Sequence, residues 1–329
     1  MDKFPLAELH CHLEGSIAPA MARRLAAKHG VDISDVHAGD DTYLWTNFAE
    51  FIVTFDRISE VVVTPQDYFD ITRDYYVRAA SEGLIYGETF VSPTHAEHKG
   101  VSYEALIDAV DAGMEAAERE TGVIARIIVT CVRHMGPERA ETIAKLTERF
   151  PHRRVTGFGM GGDENVCVPK DFARAFAIAR GAGLGLTAHA GELAGPHSLL
   201  AAIRDLGISR VGHGVRAHED PAVMAELKDR SITMELCPSS NVALGLFPDV
   251  AGHPVVRYAR EGLLATINSD DPPYFSISIG SEYEKVAKAH DLDAKELLGF
   301  TRRAVEAAFC EDDVKRALLA RVEAYGSTI

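Results

Sequence analysis

Cysteine is scarce in this chain and never falls in a C-x-x-C spacing. Cys11, Cys131, Cys167, Cys237 and Cys310 are scattered and odd in number, so neither a disulfide framework nor a thiolate-based zinc site is implied. No run of about 18 apolar residues occurs, so no membrane-spanning helix is expected. Residues 1–14 lack the apolar core of a secretion signal, and a reducing cytoplasm is the expected setting. Positive charge is also short: 34 Lys and Arg face 49 Asp and Glu, a formal net charge of −15. An acidic surface without a basic run disfavours nucleic acid and anionic membrane as partners, and leaves a small molecule. Repeats, low-complexity tracts and Pro/Ser-rich linkers are missing too. With 47% hydrophobic residues over 329 positions, residues 1–329 read as one domain with a sizeable core. Oligomeric state is not legible.

Short β-rich runs alternate with helical patterns. Candidate strands cover 6–13, 84–91, 125–132, 155–160, 184–190, 210–214, 232–237 and 264–270. Between them lie stretches of 3.6-residue apolar period, such as 170–182 and 219–229. Thr64-Pro65-Gln66-Asp67 reads as an N-cap, a proline in the first turn and an early acid, starting a helix towards Gly83. Eight strands separated by helices predict an α/β fold, a (β/α)₈ TIM barrel. An open doubly wound sheet would carry a Gly-rich phosphate turn after its first strand, and none is present. The connection after strand one, about 16–83, is unusually long and reads as a helical insertion. It holds Trp45, Phe48, Phe51 and Phe55, which serve either as ordinary core or as a lid that walls the ligand off from water.

Unusual polar residues fall at the strand ends. His10-Cys11-His12 closes the first, His189-Ala190-Gly191-Glu192 the fifth, Gly212-His213-Gly214 the sixth and Asn268-Ser269-Asp270-Asp271 the eighth. In a parallel barrel those ends meet at one face, where barrel active sites are built. His10 and His12, two apart on a strand, project to the same side. Joined by His189 and Asp270 they offer three imidazoles and a carboxylate, a set that suits zinc. The fourth strand, Val155-Thr156-Gly157-Phe158-Gly159-Met160, has no Lys or Glu to bridge a second ion. One Zn²⁺ per chain is therefore expected, and His213 is left as a base or orienting group. Bound zinc lowers the pKa of water from 15.7 to about 7. Glu192 is the candidate proton donor, and Asp271, beside the ligand Asp270, the candidate substrate holder. The Gly-rich stretch 155–164, ending Gly161-Gly162-Asp163-Glu164, reads as a turn that lets a backbone N–H approach a flat ligand.

Together these stretches, with Glu8-Leu9-His10-Cys11-His12-Leu13-Glu14-Gly15, Cys237-Pro238-Ser239-Ser240-Asn241 and Ser269-Asp270-Asp271-Pro272, resemble the adenosine deaminase family of amidohydrolase-type barrels. They occur in the family's order and span nearly the whole chain. The resemblance implies zinc on His10, His12, His189 and Asp270. It also implies proton transfer from Glu192 to purine N1, and His213 assisting the hydroxide that attacks C6. Asp271 would bond N7 and the Gly162 N–H would meet N3. The thiolate-based deaminase pattern, H-x-E followed by P-C-x-x-C, is absent, and Cys237 reads as a small core residue.

Substrate choice rests on departures. The family's adenosine deaminases carry Asp where Glu14 stands, reaching the ribose 5′-hydroxyl. The longer Glu14 pushes into the sugar space, as in relatives acting on free adenine, and Tyr274-Phe275 after Asp-Asp-Pro points the same way. Ser92-Pro93-Thr94-His95-Ala96-Glu97 does not match the adenine-deaminase pattern. The expected activity is hydrolytic deamination of adenosine or deoxyadenosine at C6, giving the inosine and ammonia. Adenine or an N6-modified adenine is the alternative, and a metal-dependent amide or phosphoester hydrolase is the reading from another class. His95 and His98 read as exposed loop residues without a role.

Overall fold

The computed structural model describes residues 3–38 and 42–329. Residues 39–41, inside the expected 16–83 insertion, and Met1 and Asp2 lie outside the described residues. Eight parallel strands follow one another in chain order, each bonded to the next. They are β1 (Leu6–His12), β2 (Leu84–Val91), β3 (Ile124–Val132), β4 (Val155–Gly161), β5 (Gly185–Ala190), β6 (Arg210–His213), β7 (Thr233–Leu236) and β8 (Leu264–Ile267). This is the expected barrel. The strands read as apolar runs rather than alternations because helices cover the outside while side chains fill the inside. In β2 all eight residues are buried.

The eighth strand ends three residues short of its expected boundary. Asp270 sits at φ 63°, a left-handed conformation that an extended ladder cannot accommodate. The barrel nevertheless closes there, through an isolated parallel bridge between Cys11 and Asp270. Asp270 N–H donates to the His10 carbonyl and His12 N–H to the Asp270 carbonyl, both at 3.0 Å. The Asn268 side chain accepts from Leu9 N–H at 2.8 Å and extends the seam downwards. One residue further on, Ser269 N–H donates to the buried Glu8 carboxylate at 2.6 Å.

Between β1 and β2 the insertion folds as α1 (Pro19–His29), α2 (Phe48–Ser59) and α3 (Pro65–Glu82). The α3 start is the one read from sequence. Thr64 accepts from Asp67 N–H through its side chain, and the Asp67 carboxylate accepts from Thr64 N–H at 2.8 Å, a reciprocal cap. Lys28 and His29 at the end of α1 reach the same carboxylate at 2.6 and 2.8 Å, so one acid both caps α3 and ties α1 to it. The pattern at 170–182 forms a tight turn, Pro169–Phe172, running into a helix at Ala173–Gly181, and that at 219–229 forms Pro221–Asp229. Among the described residues no helix is long and apolar enough to cross a membrane.

Burial opposes the charge on Asp67, but hydrogen bonds from Lys28 and Thr64 outweigh it and hold the pKa at about 2. That value lies below the ordinary 3.8, so the stabilisation is complete above about pH 4 and is lost as pH falls through 2. Asp67→Ala is expected to cost about 1–3 kcal/mol at pH 7, read from urea unfolding. The difference from wild type should shrink as pH drops from about 4 towards 2; a difference constant over that range would show that the charge is not the source.

Candidate active site

The strand ends converge as the spacing required. His10 and His12 leave β1 on the same side, and His189 arrives from β5. Their ring nitrogens come within 4.8 Å of one another, as do atoms of His12, Asp270 and Asp271. His10 Nε2 and His12 Nε2 lie 3.5 and 3.4 Å from Asp270 Oδ1. His213 ends β6 at φ 60°, with Nε2 3.9 Å from Asp270 Oδ2. Such crowding needs a residue without a side chain between the rings. A Cβ on Gly212 would fall 2.8 Å from His10 Cε1 and 2.9 Å from His189 Cδ2.

The donor set fits a metal ion. His10 Nε2 and His189 Nε2 are buried and, among the described residues, have no hydrogen-bond partner, an arrangement that is costly unless something binds there. Burial and the neighbouring His10, His213 and His12 push His189 far below its ordinary pKa, leaving a neutral imidazole. Burial opposes the charge on Asp270, but the neighbouring His10 and His12 rings favour it and hold its pKa well below the ordinary value. Burial also depresses His10, yet Asp270 and Glu235 raise it to about 9, so a proton competes with a cation at that ring. Cys237 Sγ falls in the same cluster. Burial and the charge on Asp270 push its thiol far above the ordinary value, so it stays protonated and is a poor ligand.

Behind His10 stands a residue that the sequence did not single out. Glu235, in the middle of β7, accepts from His10 Nδ1 at 2.8 Å. This fixes the tautomer that turns Nε2 into the site. Thr187 and Arg210 hold the other oxygen of Glu235 at 3.0 and 2.7 Å. Arg210 in turn bonds the Glu88 carboxylate and stacks 3.6 Å from the Phe309 ring centre. The chain of paired charges runs from the site to the opposite end of the barrel. Burial opposes the ionisation of Glu235, but the Arg210 charge and the His10 hydrogen bond keep its pKa below the ordinary value.

The proton-handling side is built on the loop after β5. Burial, then the charges of Asp270 and Glu164, push the Glu192 pKa well above the carboxylate range. A cation among the histidines would act in the opposite sense. Glu164, read from sequence only as the end of a turn, grips this loop. Its carboxylate accepts the backbone N–H groups of Gly191, Glu192, Leu193 and Ala194 at 2.5, 3.0, 2.9 and 2.9 Å. Asp271 is buried beside Asp270, which with desolvation raises its pKa strongly; its Oδ1 has no partner among the described residues. A Cβ on Gly15 would fall 1.7 Å from that oxygen, so the glycine leaves Asp271 its place.

The cavity above these groups is walled by Phe48, Phe51 and Phe55 of α2, with Glu14 and Gly162 also on its surface. Phe51 is buried, stacked 5.8 Å from Phe275 and edge-on to Tyr274 at 5.5 Å, while Phe48 and Phe55 are half-buried. Glu14 is 2% exposed and its Oε1 lacks a partner among the described residues; burial raises its pKa despite the nearby His95. His95 corrects the sequence reading. It belongs to a helix, α4 (Pro93–His98), lines the cavity, and places Nε2 3.5 Å from Asp56 of α2. His98 is exposed, but at the end of that helix rather than in a loop. Pro93 starts that helix.

A parallel barrel that gathers three imidazoles and paired carboxylates at its strand ends, under an apolar roof, is a metal-binding hydrolase of the amidohydrolase type. A family model described as adenosine deaminase matches residues 5–325, and the chain belongs to the adenosine deaminase family. It is an aminohydrolase. An adenine deaminase of Chelativorans sp. (strain BNC1) is 44% identical over 317 residues, 96% of this chain and 97% of the relative. The crystal structure of an adenine deaminase from Arthrobacter aurescens superposes with a TM-score of 0.91 at 28% identity, covering 98% of this chain and 99% of that one. An amidohydrolase from Burkholderia ambifaria, solved with bound Zn, gives 0.88 at 26% identity, covering 99% and 92%.

Glu235→Gln is expected to keep the fold while weakening binding of added Zn²⁺ about 10- to 100-fold, read by competition with a chromophoric chelator. Unchanged affinity would remove Glu235 from the metal site.

Proposed function

We propose that this chain deaminates free adenine at C6 in a zinc-dependent hydrolysis, releasing hypoxanthine and ammonia. The observation that carries the reading is the convergence of His10, His12, His189 and Asp270, with His12, His189, Asp270, Glu192 and His213 lining an apolar-walled cavity. Those four residues would hold one Zn²⁺. When bound, the ion acts as a Lewis acid and lowers the pKa of water to about 7.

The chain's own groups supply the rest. Glu192, whose burial favours the protonated carboxyl, donates to ring N1 and makes C6 electrophilic. His213, with Nδ1 3.5 Å from Glu192 Oε1, orients the water that adds to C6. Asp271, whose Oδ1 has no partner among the described residues, hydrogen-bonds N7, while the Gly162 N–H meets N3. Phe48, Phe51 and Phe55 form a lid that excludes bulk water and strengthens each of these bonds. The sequence placed adenosine ahead of adenine. Two observations support the reverse order: relatives at 44% identity are named adenine deaminases, and the buried Glu14 occupies the cavity wall.

With zinc-loaded protein, kcat/KM for adenine should exceed that for adenosine and deoxyadenosine by roughly 100-fold, measured by ammonia release. A preference for either nucleoside would overturn the substrate assignment. Glu192→Gln should retain zinc and lose a factor on the order of 10²–10⁴ in rate; near-normal turnover would remove Glu192 from the mechanism.

A further inference from the structure

Asn241 and His253 are 0% and 1% exposed, and neither lines the cavity. Their hydrogen bonds can be given a direction from one unambiguous donor. The backbone N–H of Val255 can only donate, and it lies 3.2 Å from His253 Nδ1. Nδ1 is therefore the acceptor, and a neutral ring carries its hydrogen on Nε2. Nε2 stands 3.1 Å from Asn241 Oδ1, so the amide oxygen faces His253 and the amide nitrogen faces the site. That nitrogen donates to Glu192 Oε1 at 3.0 Å and lies 3.3 Å from His213 Nδ1. An amide nitrogen has no lone pair to accept with, so the second contact also runs outwards from Asn241. Turning the amide over would set its oxygen against the Glu192 carboxylate and leave two acceptors facing each other. Burial, with His290 and His213 nearby, depresses the His253 pKa to about 3, in keeping with a neutral ring.

We infer that His253 and Asn241 form a one-directional hydrogen-bond relay that holds Glu192 and His213 in register, and that both are positioning residues of the deamination. The inference rests on the reading of Glu192 as proton donor and His213 as its partner. Asn241 occupies Oε1 of Glu192, which leaves Oε2 to carry the transferred proton. Truncating His253 frees the Asn241 amide to turn over. A donor of similar reach in its place keeps the amide fixed.

The test uses zinc-loaded Asn241→Asp, His253→Leu and His253→Gln with adenine. Asn241→Asp keeps the shape but removes both donated bonds, and kcat is expected to fall about 100-fold with KM changed less than about threefold. His253→Leu should lose about tenfold in kcat, and His253→Gln, whose amide N–H can reach Asn241, should recover most of that loss. Zinc content should stay at the wild-type value in all three variants. Wild-type kcat in Asn241→Asp, or no difference between His253→Gln and His253→Leu, would overturn the relay. Its direction has a separate readout in ¹⁵N NMR of the wild-type holoenzyme, where His253 should carry its hydrogen on Nε2 from pH 5 to 9. A hydrogen on Nδ1 would reverse the chain and overturn the inference even if the variants lost activity. Wild-type protein that turns over no purine would sink the deamination reading instead, and the NMR result would still decide the relay.

Discussion

Two backbone hydrogen bonds close this barrel, and they lie between the residues that make its candidate metal site. Asp270 N–H meets the His10 carbonyl and His12 N–H meets the Asp270 carbonyl. Closure of the sheet and placement of three donors are thus one event. The seam requires Asp270 at positive φ, a conformation that costs on the order of 1–3 kcal/mol for such a residue. Asn268 bonded to β1 and Glu8 bonded to Ser269 hold the segment on both sides. The seam's own hydrogen bonds hold the donors in place, which lowers the ordering cost of binding an ion.

Gathering donors in a dry barrel brings charge into the core, and the interior deals with it by pairing. Arg210 sits between Glu235 and Glu88, all three essentially without exposure. Such a network is weak evidence for stability, but removing one partner strands another and costs about 3–5 kcal/mol. Its position explains why it is kept. Glu235 ends the chain of charges on His10 and fixes the imidazole that faces the site, so an apolar replacement of equal volume would fill the barrel but leave that ring free to turn.

The same division of labour recurs around the cavity. Glu164 spends its carboxylate on four backbone donors of the loop that carries Glu192. Asn241 spends its amide on the side chains of Glu192 and His213. Residues expected to touch substrate were legible in the sequence because they sit at the ends of strands whose period is local. Residues that hold them were not. Glu164 looks like part of a glycine-rich turn, Glu235 like an isolated acid in an apolar strand, and His253 like one histidine among 14. Each is 27 or more residues from a main partner of its side chain, apart from the 12 between His253 and Asn241. His95 was misread for a related reason: a six-residue helix is too short for its period to show.

The sequence by itself determined the strand order, the barrel class and the identity of the residues at each strand end. Those features depend on patterns a few residues long, repeated eight times. Only the tertiary structure decided which acids back the histidines, which way the Asn241 amide points, and that Glu14 and His95 share one buried cavity. Those depend on distances across the barrel, and the 2.8 Å hydrogen bond between His10 of β1 and Glu235 of β7 leaves no local trace in either strand.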